Sequence, residues 1–308
     1  PDNHETREKV NRMWVTSYDT KARNGDFESF CIAMEWNRPI HKQFYLPRAR
    51  LLKKHGVVQG IQDLIDDKLD LLVLNLPPRI GKTSVGLFLQ VLLGGMSPDE
   101  SILAAGHSVG LIQSFYGEII NLITGEEYRY NEIFPNNHIV NKSAEYLYLD
   151  LNKERRFHTY NYVSVEAGGT GKVQAERLLY CDDLVDGIET AMSKERLDKL
   201  WQQYTTDLRQ RKIGNCKELH IATRWSVHDV IGRLEQQYGD SERAKFIVIP
   251  ALDENENSNF DYGGDIGFTT EFYHEQREIM DDVSWRALYM NQPIEREGLL
   301  YAEGRVSS

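Results

Sequence analysis

Three consecutive residues, Gly81, Lys82 and Thr83, have the types and the order that a polyphosphate-binding loop needs. In such a loop, backbone N–H groups and the N-terminus of the following helix face the phosphates, the lysine ammonium reaches the outer phosphates, and the threonine hydroxyl coordinates Mg²⁺. The usual motif also has a glycine where this sequence has Leu76. The predicted nucleotide-binding residues of the loop are Pro78, Arg79, Ile80, Gly81, Lys82, Thr83 and Ser84.

Two adjacent acidic residues, Asp182 and Asp183, are a second candidate for chemistry, because they follow an apolar stretch at residues 178–181. A hydrophobic strand that ends in acids places carboxylates at the carboxyl edge of a sheet, where ligands bind in open α/β folds. One acid can hold Mg²⁺ while its neighbour orients or deprotonates the attacking water. We therefore assign the metal to Thr83 and Asp182, and the water to Asp183.

A more glycine-rich stretch, GGTGK at residues 168–172, competes with this loop. Val173 stands where the metal-binding hydroxyl should be. Only five residues separate Lys172 from the apolar stretch that begins at Leu178, too few for a helix that could present its N-terminus. The sequence therefore predicts a flexible loop here and not the phosphate site.

The segments around these motifs alternate between strand and helix patterns. Residues 71–76 are an apolar run without charge, which is typical of a strand buried on both faces, and Pro77 and Pro78 end it because neither offers an N–H. Apolar residues then recur at helical spacing from Val85 to Leu92. Further strands are predicted at 101–105, 146–151, 157–165, 178–181, 218–223 and 246–249, and helices at 109–123, 193–212, 229–238 and 270–290. This order predicts an α/β fold with a mostly parallel sheet flanked by helices.

The chain divides into three predicted segments. Residues 1–65 are a helical N-terminal lead, residues 66–252 are the core, and residues 253–308 are a C-terminal linker or lid that begins with a polar stretch. In the lead, Tyr45 and Arg48 have two interpretations. They could stack on a purine base, or Tyr45 could pack as an aromatic ring under a helix.

The composition limits the partners. The chain has 308 residues and a net charge of −11, whereas proteins that coat nucleic acid usually carry a basic surplus, so a DNA contact must be local or come from a partner or another domain. No apolar run is long enough to span a bilayer, and we expect no membrane partner. Three scattered cysteines, without metal-ligand spacing, indicate buried thiols in a reducing compartment.

Four stretches together resemble the ATPase domain of the large terminase subunit of tailed bacteriophages. They are PPRIGKT (residues 77–83), LLYCDD (178–183), ATRWSVHDVIGRL (222–234) and SWRALYMNQPIEREG (284–298). The resemblance implies a P-loop NTPase fold of the ASCE type. In the phosphate loop of this family an arginine often occupies the position of Arg79, and the leading glycine is not required. It also implies a coupling role for Thr223 and Arg224. Some relatives insert a basic finger into the neighbouring subunit's site, and Lys172 or Arg177 is the candidate here.

The same resemblance implies a function. Large terminases hydrolyse ATP with Mg²⁺ to drive double-stranded DNA into a procapsid, as a ring of subunits on the portal protein, with a small terminase subunit that helps to select the DNA. The expected location is the cytoplasm of an infected bacterium, at the portal vertex, and not the mature virion. Family members carry a C-terminal nuclease, and we expect no nuclease activity from residues 1–308.

Other functions remain as alternatives. The first is another nucleic-acid-stimulated P-loop ATPase, such as a helicase-like translocase, although a helicase core needs two ATPase-like lobes. A regulatory GTPase is disfavoured because no Asn-Lys-x-Asp guanine signature is present. A capsid-associated structural protein with a relic phosphate loop is a third alternative, and nucleotide hydrolysis separates it from the others.

Overall fold

The strands of the described part of the chain form a single mixed sheet. In this computed structural model the described residues are 3–167, 173–263 and 266–293. Their strands are β1 (Leu71–Asn75), β2 (Ile102–Gly106), β3 (Ile139–Ser143), β4 (Tyr148–Leu151), β5 (Tyr160–Ser164), β6 (Leu178–Asp182), β7 (Lys217–Ala222) and β8 (Ala244–Val248). Their order across the sheet is β3-β4-β5-β2-β6-β7-β1-β8.

Six adjacent strands, β5, β2, β6, β7, β1 and β8, pair in parallel. β4 and then β3 extend the sheet beyond β5 with antiparallel pairing. The predicted α/β fold with a mostly parallel sheet is confirmed. β7 lies between β1 and β6, so the phosphate loop and the acidic pair lie at the same edge of the sheet, two strand spacings or about 10 Å apart. β3 was not predicted, because its polar, half-exposed sequence at a sheet edge has a weak strand pattern.

Helices cover both faces of the sheet. They are α1 (Asn3–Arg23), α2 (Phe27–Met34), α3 (Tyr45–Lys54), α4 (Val57–Ile65), α5 (Lys82–Met96), α6 (Val109–Thr124), α7 (Tyr130–Ile133), α8 (Ile188–Ala191), α9 (Lys194–Gln203), α10 (Val230–Tyr238), α11 (Thr270–Ile279) and α12 (Asp282–Leu288). Alternate residues of β1 point to opposite faces. Leu72 and Leu74 join a core with α2 to α6, and Val73 joins a second core with α9 and α10.

Two predicted helices are interrupted. The helix predicted at 193–212 ends as an α-helix at Gln203 and continues as a π turn (Tyr204–Leu208) and a 3₁₀ turn (Arg209–Arg211). The sequence pattern could not reveal this, because Tyr204 is held by a long-range hydrogen bond to buried Glu218. The helix predicted at 270–290 breaks before Asp281, whose side chain accepts a hydrogen bond from the backbone N–H of Ser284 (2.9 Å) and caps α12.

The segment predicted as a linker or lid packs onto the main core where the structure describes it. Phe260 and Tyr273 are fully buried, and Trp285 is buried beside them. The helices of the predicted N-terminal lead also pack on this core, through Phe27, Phe30 and other residues. None of the helices in the described part of the chain has the length and hydrophobicity to cross a membrane.

Candidate active site

The phosphate loop connects β1 to α5 and contains two residues in the left-handed backbone region. Arg79 has φ +67° and Gly81 has φ +88°, and α5 begins at Lys82. A Cβ atom at Gly81 would also lie 3.1 Å from the Arg48 Nε atom. Glycine is therefore the residue that this turn accepts without strain. The turn places the N-terminus of a 15-residue helix at the carboxyl edge of the sheet.

Lys82 is buried and contacts side chains from two other strand ends. Its Nζ atom lies 2.7 Å from Asp183 Oδ2 and donates a hydrogen bond of 3.3 Å to Thr223 Oγ1. Thr223 directly follows β7, and Asp183 directly follows β6. The structure therefore brings together three residues that the sequence analysis assigned to the site from three separate motifs.

Backbone contacts hold Asp183 in an uncommon conformation. Its φ is +42°, its Oδ1 accepts a hydrogen bond from the backbone N–H of Thr223 (3.0 Å), and its carbonyl oxygen accepts one from His107 Nδ1 (2.8 Å). His107 directly follows β2, the neighbour of β6. His107 was not among the predicted site residues. Its role depends on the strand order, which no local pattern contains.

Asp182 is buried beside the loop. The Tyr180 hydroxyl donates a hydrogen bond to it, and the Thr83 side chain lies close enough to lower its pKa. Burial, and then the nearby charge of Asp183, raise the pKa of Asp182 to about 7, against the opposing effects of Lys82 and the two hydroxyls. One ammonium thus faces two carboxylates, and the site lacks positive charge.

Tyr180 can approach Asp182 because α5 has a glycine beside it. A Cβ atom at Gly86 would lie 2.2 Å from the Tyr180 ring. The tyrosine therefore packs directly on the backbone of the helix that carries Lys82 and Thr83, and its hydroxyl reaches the carboxylate. This close approach also explains why the helix contains a residue of low helix propensity within its second turn.

The residues near Asp182 fit a magnesium ion. Mg²⁺ takes oxygen ligands and is usually held by one or two carboxylates together with substrate phosphates. The Thr83 hydroxyl acts on the charge of the Asp182 carboxylate, and both lie at the N-terminus of α5, where phosphates would bind. The donor set and its lack of positive charge both agree with the predicted metal site.

The two residues predicted to contact a base have different positions. Tyr45 is fully buried and its hydroxyl donates to Glu28 Oε1 (2.9 Å), so the packing alternative holds for it and it does not stack on a ligand. Arg48 lies on the same helix, α3, and its Nε donates to the carbonyl oxygen of Ile80 (3.0 Å). Arg48 therefore holds the backbone of the predicted phosphate loop, a role that was not predicted for it.

A polar cavity of about 260 Å³ lies next to the start of α5. Gln43, Phe44, Arg48 and Ser84 are among the residues that line it. It is large enough for a heterocyclic base and has both an aromatic ring and hydrogen-bonding groups. Gln43 and Phe44 immediately precede Tyr45 in the sequence, but neither was predicted to contact a base.

The remaining loop and coupling residues lie at the rim of the site. Arg79 is exposed and its charge acts on the Tyr289 hydroxyl, and among the described residues no carboxylate forms an ion pair with it. Pro78 is partly exposed next to it. Arg224 points away toward α10, where it forms an ion pair with Glu235.

Of the two finger candidates, Arg177 is not at this site. Lys172 lies outside the described residues. Arg177 directly precedes β6 and therefore lies at the amino edge of the sheet, the edge opposite to the phosphate loop, with its Nε 3.7 Å from Glu100 Oε2. Neither position tests a contact with a neighbouring subunit, so the finger remains a prediction.

Comparisons with known proteins identify a fold. No protein-family model matches this chain, and no curated protein is significantly similar to it. Among solved structures, the HK97 bacteriophage large terminase is 14% identical with a TM-score of 0.53, over 77% of this chain and 49% of the terminase. The Thermus phage P74-26 large terminase ATPase domain is 12% identical with a TM-score of 0.49, over 75% of this chain and 92% of that domain.

A third similar structure is the large terminase from a thermophilic bacteriophage in complex with ADP, at 10% identity and a TM-score of 0.44, over 80% of this chain and 52% of that terminase. The chain spans about half the length of the HK97 protein. At these identities the similarity concerns the fold. The chain has a P-loop NTPase fold, similar to that of the HK97 bacteriophage large terminase.

Proposed function

We propose that this chain binds ATP with Mg²⁺ and hydrolyses it, as the motor part of a DNA-packaging terminase. The observation that carries the proposal is the contact of Lys82 with both Asp183 and Thr223 at the carboxyl edge of the sheet. A phosphate-loop lysine and an acid after a strand of the same sheet are groups that nucleotide hydrolysis needs at one place, and Thr223, after the strand between them, contacts both.

The Lys82–Asp183 ion pair provides a way to couple binding to catalysis. Phosphates at the N-terminus of α5 compete with Asp183 for the Lys82 ammonium. The carboxylate released from this pair can then accept a proton from the attacking water or orient it. Thr83 and Asp182 would hold Mg²⁺, which when bound neutralises charge on the phosphates.

Thr223 and Arg224 are suited to transmit this change. The Thr223 side chain and backbone contact Lys82 and Asp183, and the next residue, Arg224, is paired with Glu235 on α10. A movement of Lys82 toward phosphate therefore alters the contacts of the segment that leads into α10. This arrangement supports the coupling role that the resemblance implies.

The packaging function extends the proposal to partners. We propose double-stranded DNA, the portal protein, a small terminase subunit and further copies of this chain in a ring, at the portal vertex of a procapsid in an infected bacterial cell. The net charge of −11 requires that the DNA contact be local or shared with a partner. The fold similarity to a bacteriophage large terminase supports this choice of function.

Phosphate release from ATP by residues 1–308 tests the enzymatic part. We expect Mg²⁺-dependent turnover that falls at least about 100-fold in Lys82→Ala, because groups that stabilise transition-state charge contribute several kcal/mol. Lys53→Ala is the matched control, since Lys53 is exposed on α3 and pairs with Glu28. Turnover of Lys82→Ala within tenfold of the unchanged protein would falsify the proposal.

A second assay separates the packaging motor from a helicase-like translocase. The full-length protein is supplied with duplex DNA, procapsids and ATP. A packaging motor moves intact duplex into a nuclease-protected form, whereas a helicase-like translocase separates the strands in solution. Strand separation without protection would replace the packaging function by the alternative.

The finger in trans is tested by mixing two inactive variants, Lys82→Ala and the double variant Lys172→Ala/Arg177→Ala. In a mixed assembly some interfaces combine an intact site with an intact finger, so activity partly returns. A finger supplied in trans can raise phosphoryl-transfer rates by about 10³–10⁵-fold, which makes even a small fraction of restored interfaces measurable. Without recovery at concentrations where assembly is verified, the finger lies elsewhere or acts within its own subunit.

A further inference from the structure

The N-terminal half of α1 projects from the body of the protein. Every described residue from 7 to 14 is exposed, and this segment is called the arm below. The C-terminal half of α1 is anchored, because Asp19 forms a two-pronged buried ion pair with Arg129 (2.9 Å for each hydrogen bond) and Ala22 is fully buried. A continuous helix joins the two halves, so the arm is held in a fixed direction.

The arm presents apolar side chains surrounded by basic ones. Val10, Met13 and Trp14 lie on one face at helical spacing, and Met13 and Trp14 are 66% and 58% exposed. Three basic residues and one acidic residue give residues 7–14 a net charge of +2, in a chain whose net charge is −11. Large apolar side chains exposed together on a charged rim indicate a contact surface.

A surface of opposite character lies where α11 meets α12. Ile279 is 78% exposed there. Four exposed acidic residues surround it in the sequence, at positions Glu275, Glu278, Asp281 and Asp282, and residues 275–282 contain a single basic residue, Arg277. Arg277 is already paired with Glu256 (3.0 Å), and Asp282 is paired with Arg286 on α12 (3.0 Å). This acidic patch, residues 275–282, therefore carries a net charge of −3 around an apolar centre.

We propose that the arm of one copy docks on the acidic patch of a second copy of this chain. Each surface has an apolar centre and a charged surround, and the two charges are opposite. Contact between two arms would bring like charges together, so a symmetric arm-to-arm dimer is disfavoured. Duplex DNA would attract the basic residues but offers mainly phosphates, which would not cover Met13 and Trp14.

The geometry of such a contact has a consequence for assembly. Because the arm and the patch are different surfaces, each copy keeps a free arm or a free patch after the first contact. Interfaces of this heterologous kind generate closed rings or open filaments. Neither the arm nor the patch includes a residue of the candidate nucleotide site, so the test can fail without affecting the proposed ATPase activity.

Crosslinking of single-cysteine variants tests the pairing directly. The three native cysteines are buried, so a short bis-maleimide reagent reacts with introduced surface thiols. An equimolar mixture of Met13→Cys and Ile279→Cys should give a crosslinked dimer that neither variant gives alone. Tyr146→Cys replaces Ile279→Cys in the control, since Tyr146 is also a highly exposed hydrophobic residue but lies outside the patch. No dimer in the mixture, or equal yield in the control or in Met13→Cys alone, overturns the proposal.

Charge reversal provides an independent test by sedimentation velocity. Arg12→Glu should weaken self-association by about tenfold or more, because it places like charges across the interface. Glu278→Lys in the second copy should restore it. Lys142→Glu, an exposed residue on β3, should leave self-association unchanged. If Arg12→Glu weakens binding to a duplex oligonucleotide but not self-association, the arm binds DNA and the proposal is wrong.

Discussion

The two edges of the sheet contain the same kinds of charged side chain but pair them differently. At the carboxyl edge, Lys82 is the one ammonium that faces Asp182 and Asp183 in the described part of the chain. At the amino edge, Lys217 contacts both Asp67 and Asp70. Arg243 contacts the same two carboxylates. The Asp67–Asp70 cluster at the amino edge thus has two cations for two acids, and the Asp182–Asp183 pair at the carboxyl edge has one.

The pKa directions follow from this count. The hydrogen bond from Lys217 lowers the pKa of Asp67, and the hydrogen bond from Arg243 lowers the pKa of Asp70. Burial and the neighbouring Asp183 instead raise the pKa of Asp182. The amino edge is a completed network that ties β1 and β7 to the residue before β8. The carboxyl edge is an incomplete network that a bound cation would complete, which is what a metal–nucleotide site requires.

Asp183→Asn should produce the largest change at the carboxyl edge. Loss of a group that accepts or orients the proton of the attacking water lowers turnover by about 10²–10⁴-fold. ATP binding should be unchanged or tighter, because the substitution removes the partner that competes with phosphate for Lys82. Turnover by phosphate release and affinity by calorimetry measure the two effects. Normal turnover, or loss of binding equal to that of Asp182→Ala, would contradict the assignment.

Asp182→Ala should weaken Mg²⁺-dependent nucleotide binding by about tenfold or more, since even groups that only support a metal ligand contribute 10–100-fold to metal affinity. Nucleotide binding in the presence of a chelator should change much less. The comparison with Asp183→Asn separates the metal role from the water role. A variant that binds Mg²⁺–ATP as the unchanged protein does would remove Asp182 from the metal site.

The positions of Lys82, Asp182 and Asp183 at one edge of the sheet were predictable because they depend on local patterns. The apolar run before Gly81 and the apolar run before Asp182 each predicted a buried strand followed by polar groups, and parallel strands place such groups at one edge. The strand order, by contrast, depends on contacts between distant segments. His107 therefore could not be found from the sequence, because its bond to the Asp183 carbonyl exists only when β2 lies next to β6.

Contacts between distant segments also decided the roles of Tyr45 and Arg48 in the helical lead. A tyrosine and an arginine three residues apart were compatible with base stacking and with packing. What decided between them was the position of Glu28, which accepts the Tyr45 hydroxyl in the core, and of Ile80, whose carbonyl oxygen accepts Arg48. Both partners are distant in sequence. The π turn that starts at Tyr204 is another case, since the Tyr204 hydroxyl bonds to a buried carboxylate on β7, which is distant in sequence.

The pH dependence of Mg²⁺–ATP affinity should show a smaller effect. Mg²⁺ binds the carboxylate form of Asp182, and the pKa of this group is raised to about 7, so protonation competes with the metal below that pH. On lowering the pH from 8 to 6, affinity should fall by about tenfold from this group alone. Asp182→Asn should lose this component of the slope, and an equal slope in both proteins would contradict it.

Arg79→Ala should give the smallest change. The exposed guanidinium lies in the loop two residues before Gly81, and we expect it to contact the γ-phosphate of bound ATP. An exposed ion pair contributes up to about 1 kcal/mol, so the ratio of ATP to ADP affinity should fall by about two- to fivefold. The ratio is measured by competition with a fluorescent nucleotide. If ratio and turnover are both unchanged, Arg79 is a surface residue without a role in the site.

The increase in melting temperature on addition of Mg²⁺–ATP tests the contrast between the two edges most directly. A ligand that binds the folded state raises the melting temperature according to its affinity. Lys217→Met should melt several degrees lower than the unchanged protein but show the same increase with nucleotide, because its network is structural. Lys82→Met should lose most of the increase. Retention of the full increase in Lys82→Met, or its loss in Lys217→Met, would contradict the assignment of the carboxyl edge as the nucleotide site.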